Sequence, residues 1–289
     1  MTLDEAIVRA RALPCWRSPS APVPLEGGTT NLNLRVRDGG RDYVVRLGED
    51  IPEHGVMRFN ELAISRAAAA AGISPAVFHS EPGVLVIDYV ESRPLIETDL
   101  HDRDTLAAVL DLVTRMHRDV TRELAGPALA FWVFHVNRDY VRTLRRLGSA
   151  YRPLFDRLLA QNDRLEAAVG PVRPVVTHND LLPANILAGE DRLWLIDWEW
   201  GGFNSALFDL GGLASNAGLD AATERWMLER CFDGPPPLDA YAAMKCASLL
   251  RETLWSMVSE CISTIDFDYV AYTAKNLERY QRAFSEQQP

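Results

Sequence analysis

The residues best suited to chemistry lie in the second half of the chain. In His178-Asn179-Asp180-Leu181-Leu182-Pro183-Ala184-Asn185 an Asp and an Asn stand five residues apart, and Asp197 follows Asn185 by twelve residues at the end of an apolar run. Transfer of a phosphoryl group to an alcohol needs a carboxylate at the incoming hydroxyl. It also needs oxygen ligands opposite for Mg2+, a hard cation that prefers Asp and Asn oxygens. An Asp and an Asn on one loop, facing an Asp from the next hairpin, supply both. The competing reading is a loop whose Asp and Asn only shape turns. His178 is expected to prop the loop by hydrogen bonds rather than to transfer a proton.

Such a reaction also requires a cation for the nucleotide phosphates, and the chain is nearly devoid of lysine: of its 30 basic residues only Lys245 and Lys275 are lysines. An arginine must serve. Arg46 ends the Tyr43-Val44-Val45-Arg46 run, the place of the strand lysine in a V-A-I-K pattern, and Glu61, early on the next helix, is its expected carboxylate partner. Gly27-Gly28-Thr29-Thr30-Asn31 precedes the first strand, where backbone amides can approach phosphate oxygens unobstructed. It is not the GxGxxG pattern, and it acquires meaning only in order with Arg46, Glu61 and the loop.

The elements that must position these residues fall into two groups. Asn31 to Val36 and Tyr43 to Leu47 alternate as strands around an Asp38-Gly39-Gly40 turn suited to a hairpin; Phe59 to Ala71, with five consecutive alanines, reads as a helix; Val84 to Val90 is an apolar strand. From about Pro94 the pattern turns helical, with helices expected from Asp104, over Val136 to Leu147, Leu154 to Val169, Asp239 to Ile262 and Tyr269 to Phe284. Short strands are expected at Pro174 to Thr177, Ile186-Leu187 and Arg192 to Ile196.

Composition bounds the partners. With 289 residues, 47% hydrophobic and 24% charged, the chain can bury a sizeable core, and its net charge of -10 disfavours nucleic acid and anionic membranes. No apolar run is long enough to span a membrane and no basic signal start is present, so a cytoplasmic location with reduced thiols is expected. The four cysteines and six histidines show no zinc-site spacing.

The chain resembles the choline/ethanolamine kinase branch of the aminoglycoside phosphotransferase superfamily. The matching pieces are GGTTN at Gly27 to Asn31, YVVRL at Tyr43 to Leu47, RFNE at Arg58 to Glu61, HNDLLPAN at His178 to Asn185, IDWEW at Ile196 to Trp200 and FDL at Phe208 to Leu210. The resemblance runs over nearly the whole chain. It implies an α+β, protein-kinase-like bilobal fold, with a β-rich nucleotide-binding lobe over 1–90 and a mostly helical lobe over 91–289. It further implies ATP and Mg2+, with Asp180 as the catalytic Asp, Asn185 and Asp197 as magnesium ligands and Glu199 helping with a second ion. Gly28, Thr29, Thr30, Asn31, Arg46 and Glu61 would then serve the phosphates, and Ile87, Asp88, Tyr89 and Val90 the hinge beside adenine. A homodimer is compatible with this reading.

The acceptor implied is a small cationic alcohol, choline or ethanolamine first. Aromatic faces with nearby carboxylates bind such cations. Trp200 directly follows the IDWE motif. On the helix from Asp239, Cys246, Leu250, Leu254, Met257 and Cys261 form an apolar stripe, leaving Ser248, Glu252, Trp255 and Ser259 on a face expected to be the site. The chain departs from the branch: Glu252 and Trp255 stand where eukaryotic choline kinases carry two tryptophans three apart, and Asn216 where many members have Glu. Thiamine, homoserine and aminoglycosides therefore stay open as acceptors. A non-catalytic nucleotide-binding regulator is the reading from another class, but none of the catalytic or metal-binding residues is lost.

Overall fold

The computed structural model describes residues 1–25 and 31–287. Most of the glycine-rich stretch expected to cover the phosphates, including Gly28, Thr29 and Thr30, lies outside the described residues. Helix α1 (Leu3–Arg11) starts at a capping box in which Thr2 and Glu5 exchange bonds with each other's backbone. It packs on a five-stranded antiparallel sheet made of β1 (Val23–Pro24), β2 (Leu32–Asp38), β3 (Arg41–Leu47), β4 (Val77–Glu81) and β5 (Val84–Asp88), in the order β1-β2-β3-β5-β4. The β2–β3 hairpin closes through Gly39 and Gly40, both at positive φ (56° and 81°), the pair a tight type I′ turn demands. Helix α2 (Arg58–Ala70) carries the alanine run and lies between this sheet and the helical region.

After β5 the chain leaves the sheet, because β6 (Ser92–Pro94) pairs instead with β8 (Ile186–Gly189), which pairs in turn with β9 (Leu193–Leu195). The helices are α3 (Arg103–Glu123), α4 (Val133–Leu147), α5 (Phe155–Val169), α6 (Ala206–Ala217), α7 (Ala221–Cys231), α8 (Leu238–Ile262) and α9 (Tyr269–Glu286), with β7 (Val175–Thr177) and β10 (Gly202–Asn204) forming a small pair. Among the described residues no helix is long and apolar enough to cross a membrane.

Two cores result. A small one sits between α1 and the sheet, built from Ala6, Ala10, Leu34, Val36, Val45 and Val86. The large one fills the helical region and reaches into α2 through Ile64, Ala67 and Ala68. This explains Ala67 and Ala68, whose small side chains let α2 lie close against its neighbours.

Helix α8 corrects one expectation. Of the face expected to be the site, Ser248, Glu252 and Trp255 are half-buried but Ser259 is buried: α4, α5, α6 and α9 surround the helix, so Arg251, Thr253, Ser256 and Ser259 are interior together with Cys246, Leu250, Leu254 and Met257, whereas Cys261, at its end, is exposed. Thr253 and Ser256 tolerate this because they bond the helix's own carbonyls, Thr253 to Leu249 at 2.8 Å and Ser256 to Thr253 at 2.8 Å, while Ser259 meets His54 Nε2 at 3.2 Å and Arg251 donates to Glu252. Helices α6, α7 and α1 carry no strong periodic signal. In α6 the pair Gly211-Gly212 weakens helix propensity, yet Gly211 is required: a Cβ there would sit 2.8 Å from the Cα of Lys245 on α8. That close approach carries Asp209 and Asn216 to the site.

Candidate active site

The loop between β7 and β8 and the end of the β8–β9 hairpin build the centre. Because Ile186 pairs with Leu195, Asn185 and Ile196 become neighbours, and the Ile196 amide donates to the Asn185 carbonyl at 3.1 Å. Asp197 therefore emerges opposite the loop that carries Asp180 and Asn185. It does so at φ 70°, as Asn179 does at φ 65°; these are the two non-glycine residues at positive φ among those described. Asp and Asn tolerate that region better than other side chains, and its use at two points of one site marks a conformation held by its surroundings.

The holding groups are identifiable. Asp209, fully buried on α6, accepts the backbone amides of His178 (3.0 Å) and Asn179 (2.8 Å) and also meets His117 Nε2 at 2.8 Å. Asn179 bonds the Trp200 carbonyl at 2.8 Å, while Thr177 and Asn204 reach its Oδ1 at 3.0 Å. His178 is buried, bonded through Nε2 to the Ile196 carbonyl at 2.8 Å and packed on Trp198. Burial lowers its pKa, so it stands as a neutral prop. Asn185 donates to the Asp180 carbonyl at 2.9 Å. Burial pushes the Asp180 carboxyl up to about 7, with Glu252, Asp197 and Glu199 adding to the effect and Arg251 opposing it.

Above this loop two arginines and three carboxylates interlock. Arg46 Nη2 contacts Asp197 at 2.8 Å, Glu61 at 3.1 Å and Glu199 at 3.4 Å. Arg58 Nη1 contacts Glu61 at 2.6 Å and Glu199 at 2.7 Å. Burial opposes the charge on Arg46, but the three carboxylates outweigh it and raise its pKa. Asp197 is likewise held below the ordinary carboxylate range, Arg46 overcoming the effect of burial. Asn31 donates to Glu199, tying the start of β2 to the same cluster. Oxygens of Glu61, Asp197 and Glu199 lie within 4.8 Å of one another. A hard-oxygen set this dense fits a magnesium ion. In the sequence Arg58 stands out only as part of RFNE. Its spacing of three from Glu61 on a helix was the signal that they pair.

The residues expected at the hinge follow the sheet. Ile87 lines the cleft with Arg46 and Asp197, and Asp88 ends β5 opposite Tyr43. The Tyr89 amide bonds the Asp42 carbonyl at 3.0 Å and its ring carries the Arg35 guanidinium at 3.9 Å, while the Val90 carbonyl accepts Ser92.

A cavity of about 330 Å³ opens from Asp180, Asn185, Asp197 and Glu199 toward α8 and α9. Trp200, Glu252 and Trp255, the residues expected to bind the acceptor, line it together with groups to which no expectation was attached. Trp200 is 8% exposed, its Nε1 bonded to the His54 carbonyl at 3.2 Å, and the Arg251 guanidinium sits 4.7 Å from its ring. Glu252 has one oxygen on Arg251 at 2.9 Å and the other on the Tyr272 hydroxyl at 2.8 Å. Trp255 meets Tyr269 and Tyr272 edge-on at 6.1 and 6.4 Å, so the aromatic wall comes largely from the segment after α8. Arg251, 3.7 Å from Asp180, and the tyrosines escaped sequence reasoning because each is a common residue with no motif of its own.

A small antiparallel sheet over a helical region, with a braced Asp/Asn loop facing a positive-φ Asp, defines a protein-kinase-like phosphotransferase fold. The chain belongs to the phosphotransferase enzyme family, which it matches over residues 22–245. It is 29% identical to protein LicA of Haemophilus influenzae over 217 residues, 73% of this chain and 62% of LicA's length. In structure it is similar to a choline/ethanolamine kinase family protein from Mesorhizobium loti, with a TM-score of 0.80 and 24% identity over 99% of this chain and 98% of that one. It is also similar to choline kinase LicA from Streptococcus pneumoniae, with a TM-score of 0.78 and 20% identity over 99% of this chain and all of that one.

Proposed function

We propose that this chain is an ATP- and Mg2+-dependent kinase that phosphorylates the hydroxyl of a small amino alcohol, choline and ethanolamine being the reference acceptors. The observation that carries the reading is that one cavity holds both Asp180, Asn185, Asp197 and Glu199 and the aromatic wall of Trp255, Tyr269 and Tyr272. Family membership and the likeness to choline and ethanolamine kinases support it. In this reading residues 1–90 take the nucleotide and 91–289 the acceptor.

The roles follow from the chemistry. Asp180 takes the proton of the acceptor's hydroxyl as that hydroxyl oxygen bonds the γ-phosphorus and the bond from the phosphorus to the bridging oxygen of ADP breaks. A carboxyl near 7 suits that task, since a base works best with a pKa near the working pH. Asn185, Asp197 and Glu199 would hold magnesium, which when bound neutralises phosphate charge. Arg46, kept protonated by Asp197, Glu61 and Glu199, presents its guanidinium to the phosphates, and Asp209 keeps the loop in register. Trp255 and the two tyrosines offer aromatic faces to the ammonium group.

The test is ADP release from Mg-ATP with choline, ethanolamine, thiamine, homoserine and an aminoglycoside as acceptors. Turnover on amino alcohols well above the rate without acceptor is the expected result. Turnover on the aminoglycoside alone overturns the reading.

A further inference from the structure

Apart from Asp197 and Glu199, read above as metal ligands, the cavity lining holds equal numbers of formal positive and negative charges. Asp180 and Glu252 are its acids; Arg251 and Arg279 are its bases. Glu252, the carboxylate that would meet a substrate ammonium, is already paired with Arg251 at 2.9 Å and bonded by Tyr272 at 2.8 Å. Arg251 is only 4% exposed, so it stays with these partners. Arg279 differs. Its Nη2 donates to the Ser215 carbonyl at 3.0 Å and its Nη1 to the Asn276 amide oxygen at 3.3 Å, both neutral acceptors, and it forms no ion pair among the described residues. A guanidinium satisfied only by neutral groups keeps its charge for whatever fills the cavity.

The position of Arg279 gives the cavity two unlike ends. Tyr272, Asn276 and Arg279 share one face of α9, two turns from first to last. At the Tyr272 end stand Trp255 and Tyr269, faces for an ammonium; at the Arg279 end stands Asn216, whose amide bonds the Leu181 carbonyl at 3.2 Å beside Asp180. A narrower cavity shares Asp180, Asn216, Arg251, Glu252 and Arg279 with the first and is lined also by Ser215, whose buried hydroxyl has no partner among the described residues. A bare cation entering here would lose hydration and find its carboxylate already neutralised, whereas a molecule carrying both charges brings a counter-charge for each end.

We propose that the preferred acceptor is a zwitterionic amino alcohol, its hydroxyl at Asp180, its ammonium at the aromatic end and its carboxylate on Arg279. The proposal rests on the kinase reading above and narrows its substrate class. The experiment compares kcat/KM within pairs that differ by a carboxylate alone, ethanolamine against serine, 3-aminopropan-1-ol against homoserine, and choline against N,N,N-trimethylserine, in the parent, Arg279→Gln and Arg279→Lys. The parent should favour a carboxylated member at least tenfold. That ratio should approach one in Arg279→Gln and be partly kept in Arg279→Lys, with thermal melting used to confirm that both variants are folded. A parent ratio at or below one, or a ratio unchanged in Arg279→Gln, overturns the proposal while leaving the kinase reading standing. Absence of turnover on every acceptor overturns both.

Discussion

Replacing Asp180 with Asn tests the electrostatics and the catalytic assignment together. The side chain is 16% exposed, and its carboxyl is pushed from 3.8 to about 7 by burial and neighbouring carboxylates. Between those values the folded protein takes up a proton that the unfolded chain has already released, so stability rises as the pH falls through this window. Above pH 7 the carboxylate is ionised in both states, and the folded protein bears the full cost. At about 1.36 kcal/mol per pH unit the ceiling is ~4 kcal/mol; with relaxation and water penetration we expect ~1–2 kcal/mol. Asn has the same shape without the charge, and Arg251 keeps Glu252 at 2.9 Å as its partner. The metal-free, nucleotide-free variant should therefore melt about 2–6 °C above the parent at pH 8. The difference should shrink toward pH 5 and vanish near pH 4. Turnover should fall by roughly 10²–10⁴-fold, the usual contribution of a general base. A variant that melts below the parent at pH 8, a difference independent of pH, or near-normal turnover would refute this reasoning.

Three further outcomes are expected. Arg46→Lys, which keeps the charge but loses the planar group now reaching three carboxylates, should lower kcat/KM by about 10–100-fold; parent-like kinetics would show that a point charge suffices. Asp209→Ala strips His178, Asn179 and His117 of their shared acceptor and should cost ~2–4 kcal/mol in denaturant unfolding together with most activity. An active variant of parental stability would mean the loop holds itself. Trp255→Ala should raise the acceptor KM by roughly 2–30-fold, the equivalent of ~0.5–2 kcal/mol, and leave the nucleotide KM in place; steady-state kinetics with each substrate varied in turn separates the two.

The chemical centre was legible in the sequence because its spacing is local. Asp180 and Asn185 share one short loop, Asp197 follows through a hairpin, and a hairpin of known pairing has little choice but to set them face to face. The strand-then-helix order that led from Arg46 to Glu61 is likewise near-neighbour geometry, and the pair stands at 3.1 Å. Helices with steady apolar periodicity, such as α3 and α4, were readable for the same reason.

What tertiary structure decided is everything that depends on which far segments meet. Periodicity reports that a helix has an apolar stripe, but not that four neighbours will pack around α8, so Ser259 became interior with Arg251, Thr253 and Ser256 while Cys261 was left outside. The same packing put Arg251 over Trp200 and between Asp180 and Glu252, and brought Asp209 from α6 beneath the catalytic loop through the close approach at Gly211. Tyr269, Tyr272 and Arg279 belong to a helix whose sequence reads only as amphipathic. They shape the acceptor cavity because α9 folds back along α8, a contact set by shape and burial over the whole helical region rather than by any short run of residues.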